Sequence, residues 1–423
     1  MSRLLKTCLL ALPLLAQTSF AQDTSKSGTP SATDLASSLG GPSGVSQELE
    51  ADYRDELLDS NILERAVGPW RQWKKELNDD HDIKLGLNVL MLYQQGTEDS
   101  SANEDEAAGG IYRFQGSWDA FSNENSSGKI EFRIENRNRL GGLLAPQSLS
   151  GGYTAANNTG FPYGDNFDTD LAIINWKQTF SKSRWGYAVG RLAFDVYLDP
   201  SAVQTPYGGF MNRAFVYSPA LGTTGIGALG AVAKGFITDN VWVGAQIYDA
   251  NAVNGEFDFD TIEEGEFLKA VELGWTPEFA RRGKDRVQFT YWEKDKREKA
   301  GVPSGSGWAV STTSQWSEKL LTFIRAGASD GGAGVAADAS ASAGFTYQAW
   351  EQRSVALGVG WSEPNKTANG NGLEDEWVVE ASYKMQLTRN LSLTPDVQWI
   401  QNPTRLPEKD SLWIFGVRAI LTL

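Results

Sequence analysis

The 423-residue sequence holds a single cysteine and a single histidine. Without a second cysteine there is no disulfide framework. With His81 alone, between Asp80 and Asp82, histidine-rich zinc sites and Ser-His-Asp or Cys-His chemistry are disfavoured, and His81 reads better as an interfacial residue than as a base. A lone carboxylate pair is the one enzymatic arrangement the composition leaves open. Basic residues are also scarce: 38 Lys and Arg face 53 Asp and Glu, a net charge of −15, so nucleic acid is excluded as a partner. Beyond the first 21 residues no stretch approaches the roughly 20 apolar residues that a membrane helix needs. Such a chain can span a membrane only as a closed β-barrel, where every backbone group is paired without helices.

What is abundant agrees with strands. Glycine numbers 44, and 19 Phe, 15 Trp and 13 Tyr accompany it, which favours an all-β chain. At the N-terminus, Arg3 and Lys6 precede the apolar "CLLALPLLA", and Ser19-Phe20-Ala21 forms a small-x-small site. Residues 1–21 are therefore expected to be an export signal, leaving a mature chain from Gln22. Its removal takes away Cys8 and two basic residues and moves the net charge from −15 to −17. Residues 22–45, rich in Ser, Thr, Gly and Pro, read as a flexible linker. Residues 46–78 read as a helical segment, with Ser46 as N-cap, Glu48, Glu50 and Asp52 in the first turns, and Leu58, Ile62 and Ala66 at helical spacing. Gly68-Pro69 is expected to break this helix and "PWRQWKKEL" to restart it. Its apolar face should pack on something apolar, with plugging of a pore as the sharper alternative.

From Ile83 the period changes to two. "IKLGLNVLMLYQQ" puts Ile83, Leu85, Leu87, Val89, Met91 and Tyr93 on one face, and "IYRFQGSWDAF" sets Tyr112, Phe114, Trp118 and Ala120 against Arg113, Gln115, Ser117 and Asp119. Similar segments follow near 128–140, 168–180, 185–197, 225–235, 240–249, 266–276, 285–294, 306–316, 320–328, 339–349, 354–362, 375–387, 391–399 and 411–423, which makes about 16 strands. Their connectors alternate: "GTEDSSANEDEAA", 141–167 and 198–224 are long, whereas "SNENSS", "SKSR", "ITDN", "SEK", "EQR" and "TRN" are short. Long loops on one side and short turns on the other are the mark of a transmembrane antiparallel β-barrel, expected over residues 79–423. A soluble sandwich or propeller would use shorter strands and has no reason to keep one class of connector short throughout. Aromatics near strand ends (Tyr93, Trp118, Trp185, Trp275, Trp350, Trp399) fit interfacial girdles. In the last strand, odd residues Trp413, Phe415 and Val417 should meet lipid and Arg418 the lumen.

The end of the chain carries a more specific likeness. "TPDVQWIQNP" followed by "DSLWIFGVRAIL" resembles the closing hairpin of the carbohydrate-selective porin family, OprB type, of Gram-negative outer membranes, and "GYAVGRLAFDVYLDP" resembles that family's segment leading into its long third loop. The helix before the first strand is a further family feature. The likeness covers most of residues 50–423; Leu423 stands where outer-membrane barrels commonly end in Phe. The resemblance implies a 16-stranded barrel whose narrow polar eyelet passes monosaccharides such as glucose by facilitated diffusion. Small carbohydrates, outer-membrane lipid and lipopolysaccharide, and the outer-membrane assembly machinery are the implied partners; a homo-oligomer is compatible with the pattern, and no cofactor is implied.

The residues themselves suggest where the channel chemistry lies. In "KIEFRIENRNRL", Glu131, Arg133, Glu135, Arg137 and Arg139 share one face and Phe132 and Ile134 the other. Turning that charged face to lipid would cost about 2–4 kcal/mol per Arg near the midplane, so it is expected to line the lumen. The same parity places Arg191 and Asp195 inside, with Leu192, Phe194 and Val196 outside. Guanidinium forks and carboxylates suit sugar hydroxyls, although these charges could equally pair with one another and stiffen the wall. Trp242, Tyr248 and Trp292 on polar faces could stack on a pyranose, and the connector 201–224, with Arg213 as its charged element, is a candidate constriction loop. The acidic stretches "EFDFDTIEEGE" and "NGNGLEDE" could bind Ca²⁺ or bridge to lipopolysaccharide, though neither matches a spaced calcium motif. A channel for small anions or organic acids, and a non-conducting structural or adhesive barrel, are the competing readings of the same architecture.

Overall fold

The structure is a computed structural model, which describes Val45, Leu49 and residues 61–423 except 166, 204–207, 255–258 and 351. The chain divides into two compact units, Met1–Ser31 and Ala32–Leu423, and every described residue belongs to the second. The expected signal segment and nearly all of the expected linker lie outside the described residues, as does most of 46–60.

Helix α1, Asn61–His81, precedes sixteen strands: β1 Ile83–Gly96, β2 Glu106–Ser122, β3 Ser127–Arg139, β4 Phe167–Phe180, β5 Trp185–Leu192, β6 Ala228–Phe236, β7 Val241–Asp249, β8 Phe267–Trp275, β9 Arg286–Lys294, β10 Gly305–Gln315, β11 Leu320–Ser329, β12 Ala337–Trp350, β13 Arg353–Pro364, β14 Glu376–Gln386, β15 Leu391–Gln401 and β16 Ser411–Thr422. Each strand pairs antiparallel with its neighbour in sequence, and β1 pairs with β16 from Asn88↔Thr422 to Gly96↔Ile414, closing the barrel. Closure leaves no edge whose backbone groups would lie unpaired in lipid. No helix among the described residues is long and apolar enough to cross a membrane.

Two-residue periodicity becomes two chemically distinct surfaces. On β16, Trp413, Phe415 and Val417 are exposed on the outside, whereas Leu412, Ile414, Arg418 and Ile420 are buried inside. Exposed aromatics gather at both rims, with Trp118, Trp185, Trp275, Trp316 and Trp350 near the short turns and Tyr93, Tyr291, Trp308, Trp377 and Trp413 near the long connectors. These are the two interfacial belts that amphipathic rings favour.

Two expectations are corrected. Helix α1 runs unbroken through Pro69 rather than stopping at Gly68, and it ends on His81. The lost backbone bond at Pro69 is tolerated in a helix that packs along β1 and donates from Arg71 Nη2 to Asn390 Oδ1 at 3.3 Å. The segment 185–197 is not one strand. β5 ends at Leu192, the chain turns into the short helix Phe194–Tyr197, and Leu192, Phe194 and Val196 are all buried in the interior rather than facing lipid. On β5 the even residues face the interior, Leu192 standing opposite buried Ala228, and beyond Leu192 the backbone leaves the wall and the alternation no longer assigns faces.

The interior is asymmetric. The inner faces of β2 to β4 are polar: Arg113, Gln115, Ser117, Lys129, Glu131, Arg133, Glu135, Arg137, Asn175 and Lys177. Around the rest of the bore apolar residues alternate with buried polar ones such as Lys234, Glu272, Gln288, Arg325, Glu380 and Arg418, and the connector 193–227 folds onto this mixed wall. Phe194, Val196, Tyr197, Leu198, Tyr217 and Leu221 join Ala188, Val232, Tyr248, Leu268, Trp292 and Ala309 in one cluster, which also contains Val45 and Leu49. Phe210, Ala214, Phe215 and Val216 join Phe323, Ala356, Val378, Ile400, Leu412 and Ile414 in a second. Glycine permits that closeness: a Cβ on Gly358 would come within 2.7 Å of the Phe215 ring. Buried carboxylates fix the docking. Asp199 accepts from Gln288 Nε2 at 2.8 Å and Ser311 Oγ at 2.6 Å and pairs with Arg325 at 3.2 Å, while Glu380 accepts from the amides of Met211 and Asn212 at 2.6 and 2.9 Å. Neighbouring Glu376 takes the amides of Ala155, Ala156 and Asn157 and so holds the connector 140–166.

Candidate functional site

Where the polar wall faces the inserted connector, a cavity of about 200 Å³ remains, lined by Arg113, Arg133 and Arg137 from the wall and by Phe161, Phe194, Asp195, Phe210, Arg213 and Tyr217, among others, from the connectors. Its charged side follows from register. β2 and β3 pair with Arg113 opposite Glu135 and Gln115 opposite Arg133, so inward residues of one strand meet inward residues of the next. Arg113 Nε and Arg137 Nε each donate to Glu135 at 2.6 Å, and Arg133 Nη1 lies 4.0 Å from the same carboxylate. Arg133 Nε donates to Gln115 Oε1 at 2.8 Å, and Arg137 Nη1 donates to the Pro162 carbonyl at 3.1 Å. Three guanidinium groups are thereby fixed around one carboxylate with donors still directed at the bore.

The opposite side comes from connector 193–227. Asp195 lies on the short helix Phe194–Tyr197, with its carboxyl pushed up by burial against the downward pull of Arg133, Arg113 and Arg137. Arg213 opens a second short helix, Arg213–Val216, capped by Asn212, whose side chain accepts from Ala214 N. The Asn212 amide group in turn donates to Gln398 Oε1 at 3.0 Å, so Glu380 and Gln398 together set where Arg213 stands.

Of the residues expected from sequence, Arg133, Arg137, Asp195 and Arg213 converge on this cavity, and Glu135 supports it from behind. Arg139 stands at the end of β3, exposed and 3.8 Å from Asp165, away from the lining. Arg191 is buried, but on β5 it stands opposite Ile174 and Leu229 rather than among the inward residues, and it pairs with Asp170 at 3.0 Å outside the lining. Trp242, Tyr248 and Trp292 face inward as parity required, yet none lines the cavity. Trp242 donates to Glu272 Oε1 at 3.1 Å, Tyr248 donates to Gln246 Oε1 at 2.7 Å, and Trp292 is buried against Gly222 of the connector. Parity tells which face a side chain takes, not whether a loop will cover it. The cavity's aromatics come instead from the connectors, where no periodicity marks them. Arg113, which the sequence marks only as part of the polar face of β2, joins the lining because the pairing of β2 with β3 sets it beside Glu135.

Residues 87–422 match the model of the carbohydrate-selective porin, OprB family. The chain belongs to that family. Its barrel is similar to the high-pH structure of Pseudomonas putida OprB, at 14% identity over 84% of this chain and 97% of that one, with a TM-score of 0.65. The low-pH structure of the same porin matches over the same shares at 14% identity and a TM-score of 0.48, and a variant of the Rh. blastica porin matches at 9% identity over 81% of this chain and 100% of that one, with a TM-score of 0.49. No curated protein matches the chain. Family and fold make this a carbohydrate porin of a Gram-negative outer membrane, with the architecture of a channel. Among the described residues of the porin no cluster of His, Cys, Asp and Glu is placed to hold a metal ion.

Proposed function

We propose that this porin carries monosaccharides such as glucose by facilitated diffusion, and that the cavity between the β2–β3 wall and connector 193–227 is its eyelet. The observation that carries the reading is the meeting of Arg113, Arg133 and Arg137 with Asp195, Arg213 and the rings of Phe161, Phe194, Phe210 and Tyr217 around one small space. A pyranose has apolar faces and a rim of hydroxyls. Rings can cover the former while fixed guanidinium and carboxylate groups replace water at the latter. Because the donors are held by Glu135 and Gln115 in advance, little ordering remains to oppose entry. Passage also requires that the sugar leave again, which favours several moderate contacts over one strong one.

Glu131 and Arg139 bracket this eyelet on β3, and Arg191, Trp242 and Trp292 act behind it as supports of the wall and the inserted connector. Liposome swelling tests the proposal. Neutral hexoses entering faster than anions of similar size support it, the reverse order favours a general anion channel, and no permeation favours a structural barrel.

A further inference from the structure

Charge around the eyelet does not balance. Four arginines, Arg113, Arg133, Arg137 and Arg213, face two carboxylates, Glu135 and Asp195, inside a protein whose overall charge is −15. The imbalance has a location. Arg113 and Arg137 are bonded to Glu135, and Arg133 is bonded to Gln115 within reach of the same carboxylate. Arg213 takes part in none of the ion pairs among the described residues, its Nε is buried without a hydrogen-bond partner, and its guanidinium carbon lies 5.8 Å from the Tyr217 ring centre. The backbone beneath it is clamped through Asn212 to Glu380 and Gln398, so it cannot readily swing away to find a counter-ion.

Building on the reading of this cavity as the sugar passage, we infer that the eyelet prefers sugar acids, a pyranose or open-chain polyol bearing one carboxylate, and that Arg213 is the residue that selects the carboxylate. A planar, desolvated guanidinium fork matches a carboxylate in two parallel hydrogen bonds, a fit that a neutral hydroxyl does not reproduce. The polyol part keeps the contacts to the wall arginines and the rings, which a small carboxylate without a sugar body cannot make. A general anion channel would need only the charge, and a neutral-sugar channel would need only the wall and the rings; an arginine with no ion pair among the described residues, set beside aromatic surfaces, calls for both features in one solute.

The test is block of single-channel ion current in the full-length porin by glucose, glucuronate, glucuronamide and lactate. Glucuronate should half-block at a concentration about tenfold below glucose, the scale of one charge-assisted hydrogen-bond pair. Glucuronamide, which keeps the ring and loses the charge, should fall back to the glucose range, and lactate should be the weakest. In Arg213→Gln the glucuronate-to-glucose ratio should collapse towards one. Equal block by glucuronate and glucose overturns the inference, as does glucuronamide as effective as glucuronate in the unaltered protein, a result that does not depend on the variant assembling. Lactate matching glucuronate overturns it in favour of simple anion passage, and retention of the preference in Arg213→Gln removes Arg213 from the role. If glucuronate blocks and glucose does not, the neutral-sugar reading falls and this one stands; if neither blocks, both fall.

Discussion

Glu135→Gln would remove the charge at the centre of the β2–β3 wall of the cavity while keeping its shape. Glu135 accepts from Arg113 and Arg137 at 2.6 Å each and lies 4.0 Å from Arg133, and its side chain is fully buried. With an amide in its place, two charge-assisted bonds become neutral ones, and three guanidinium groups are left confined together without their common counter-charge. Removing one partner of a buried pair costs about 3–5 kcal/mol, chiefly because the remaining charge stays desolvated. An exposed pair provides the control: Lys269→Ala breaks the bond to Asp295 at 2.9 Å on the outer surface and should cost no more than about 1 kcal/mol. The assay is urea unfolding of the refolded barrel, followed by the heat-modifiable shift on a cold gel and by tryptophan fluorescence. Glu135→Gln should unfold at a clearly lower urea concentration than either the unaltered protein or Lys269→Ala. A midpoint indistinguishable from that of Lys269→Ala would refute the idea that this carboxylate holds the arginines in place, and with it the preorganised eyelet.

Register on the closing strand can be checked by comparing Val417→Arg with Arg418→Ala. The first puts a cation on the exposed outer face, at about 2–4 kcal/mol near the midplane, and should depress assembly in lipid specifically. The second frees the connector carbonyls of Phe210 and Gly208 inside the bore and should leave a folded but noisier channel; equal assembly yields for the pair would show the faces reversed. Glu380→Gln weakens acceptance from the Met211 and Asn212 amides, so the connector should loosen and single-channel conductance should rise; an unchanged conductance would mean the apolar cluster holds the connector alone. Burial raises the carboxyl of Asp195 on the connector above the usual aspartate value of 3.8, so the folded protein holds that proton more tightly than the unfolded chain does. The stabilisation from that proton is present at low pH and lost as pH rises through the raised value. The eyelet should accordingly become more anion-selective on acidification, at a pH above 3.8, and reversal potentials in Asp195→Asn should lose that step.

The sequence by itself determined the barrel. Alternating residues with a period of two, and connectors that are long and short by turns, leave few other architectures, because lipid tolerates neither unpaired backbone nor a charged outer face. The same logic sent Arg133, Glu135, Arg137 and Arg418 inward, and all four are there. Only the tertiary structure decided which inward residues line the cavity. Trp242 and Trp292 have the right parity and are covered; Phe161, Phe210 and Tyr217 have no parity to read and line the cavity. The difference lies in range. A strand's face is fixed by bonds to the residue next door, whereas the course of connector 193–227 is fixed by Asp199 on Gln288, Ser311 and Arg325, by Met211 and Asn212 on Glu380, and by two apolar clusters, one of which draws on strands as distant in sequence as β13 to β16. Arg139 and Arg191 make the same point on the wall itself: each has a partner, Asp165 or Asp170, brought beside it by folding, and each stands outside the cavity that Arg133 and Arg137 line.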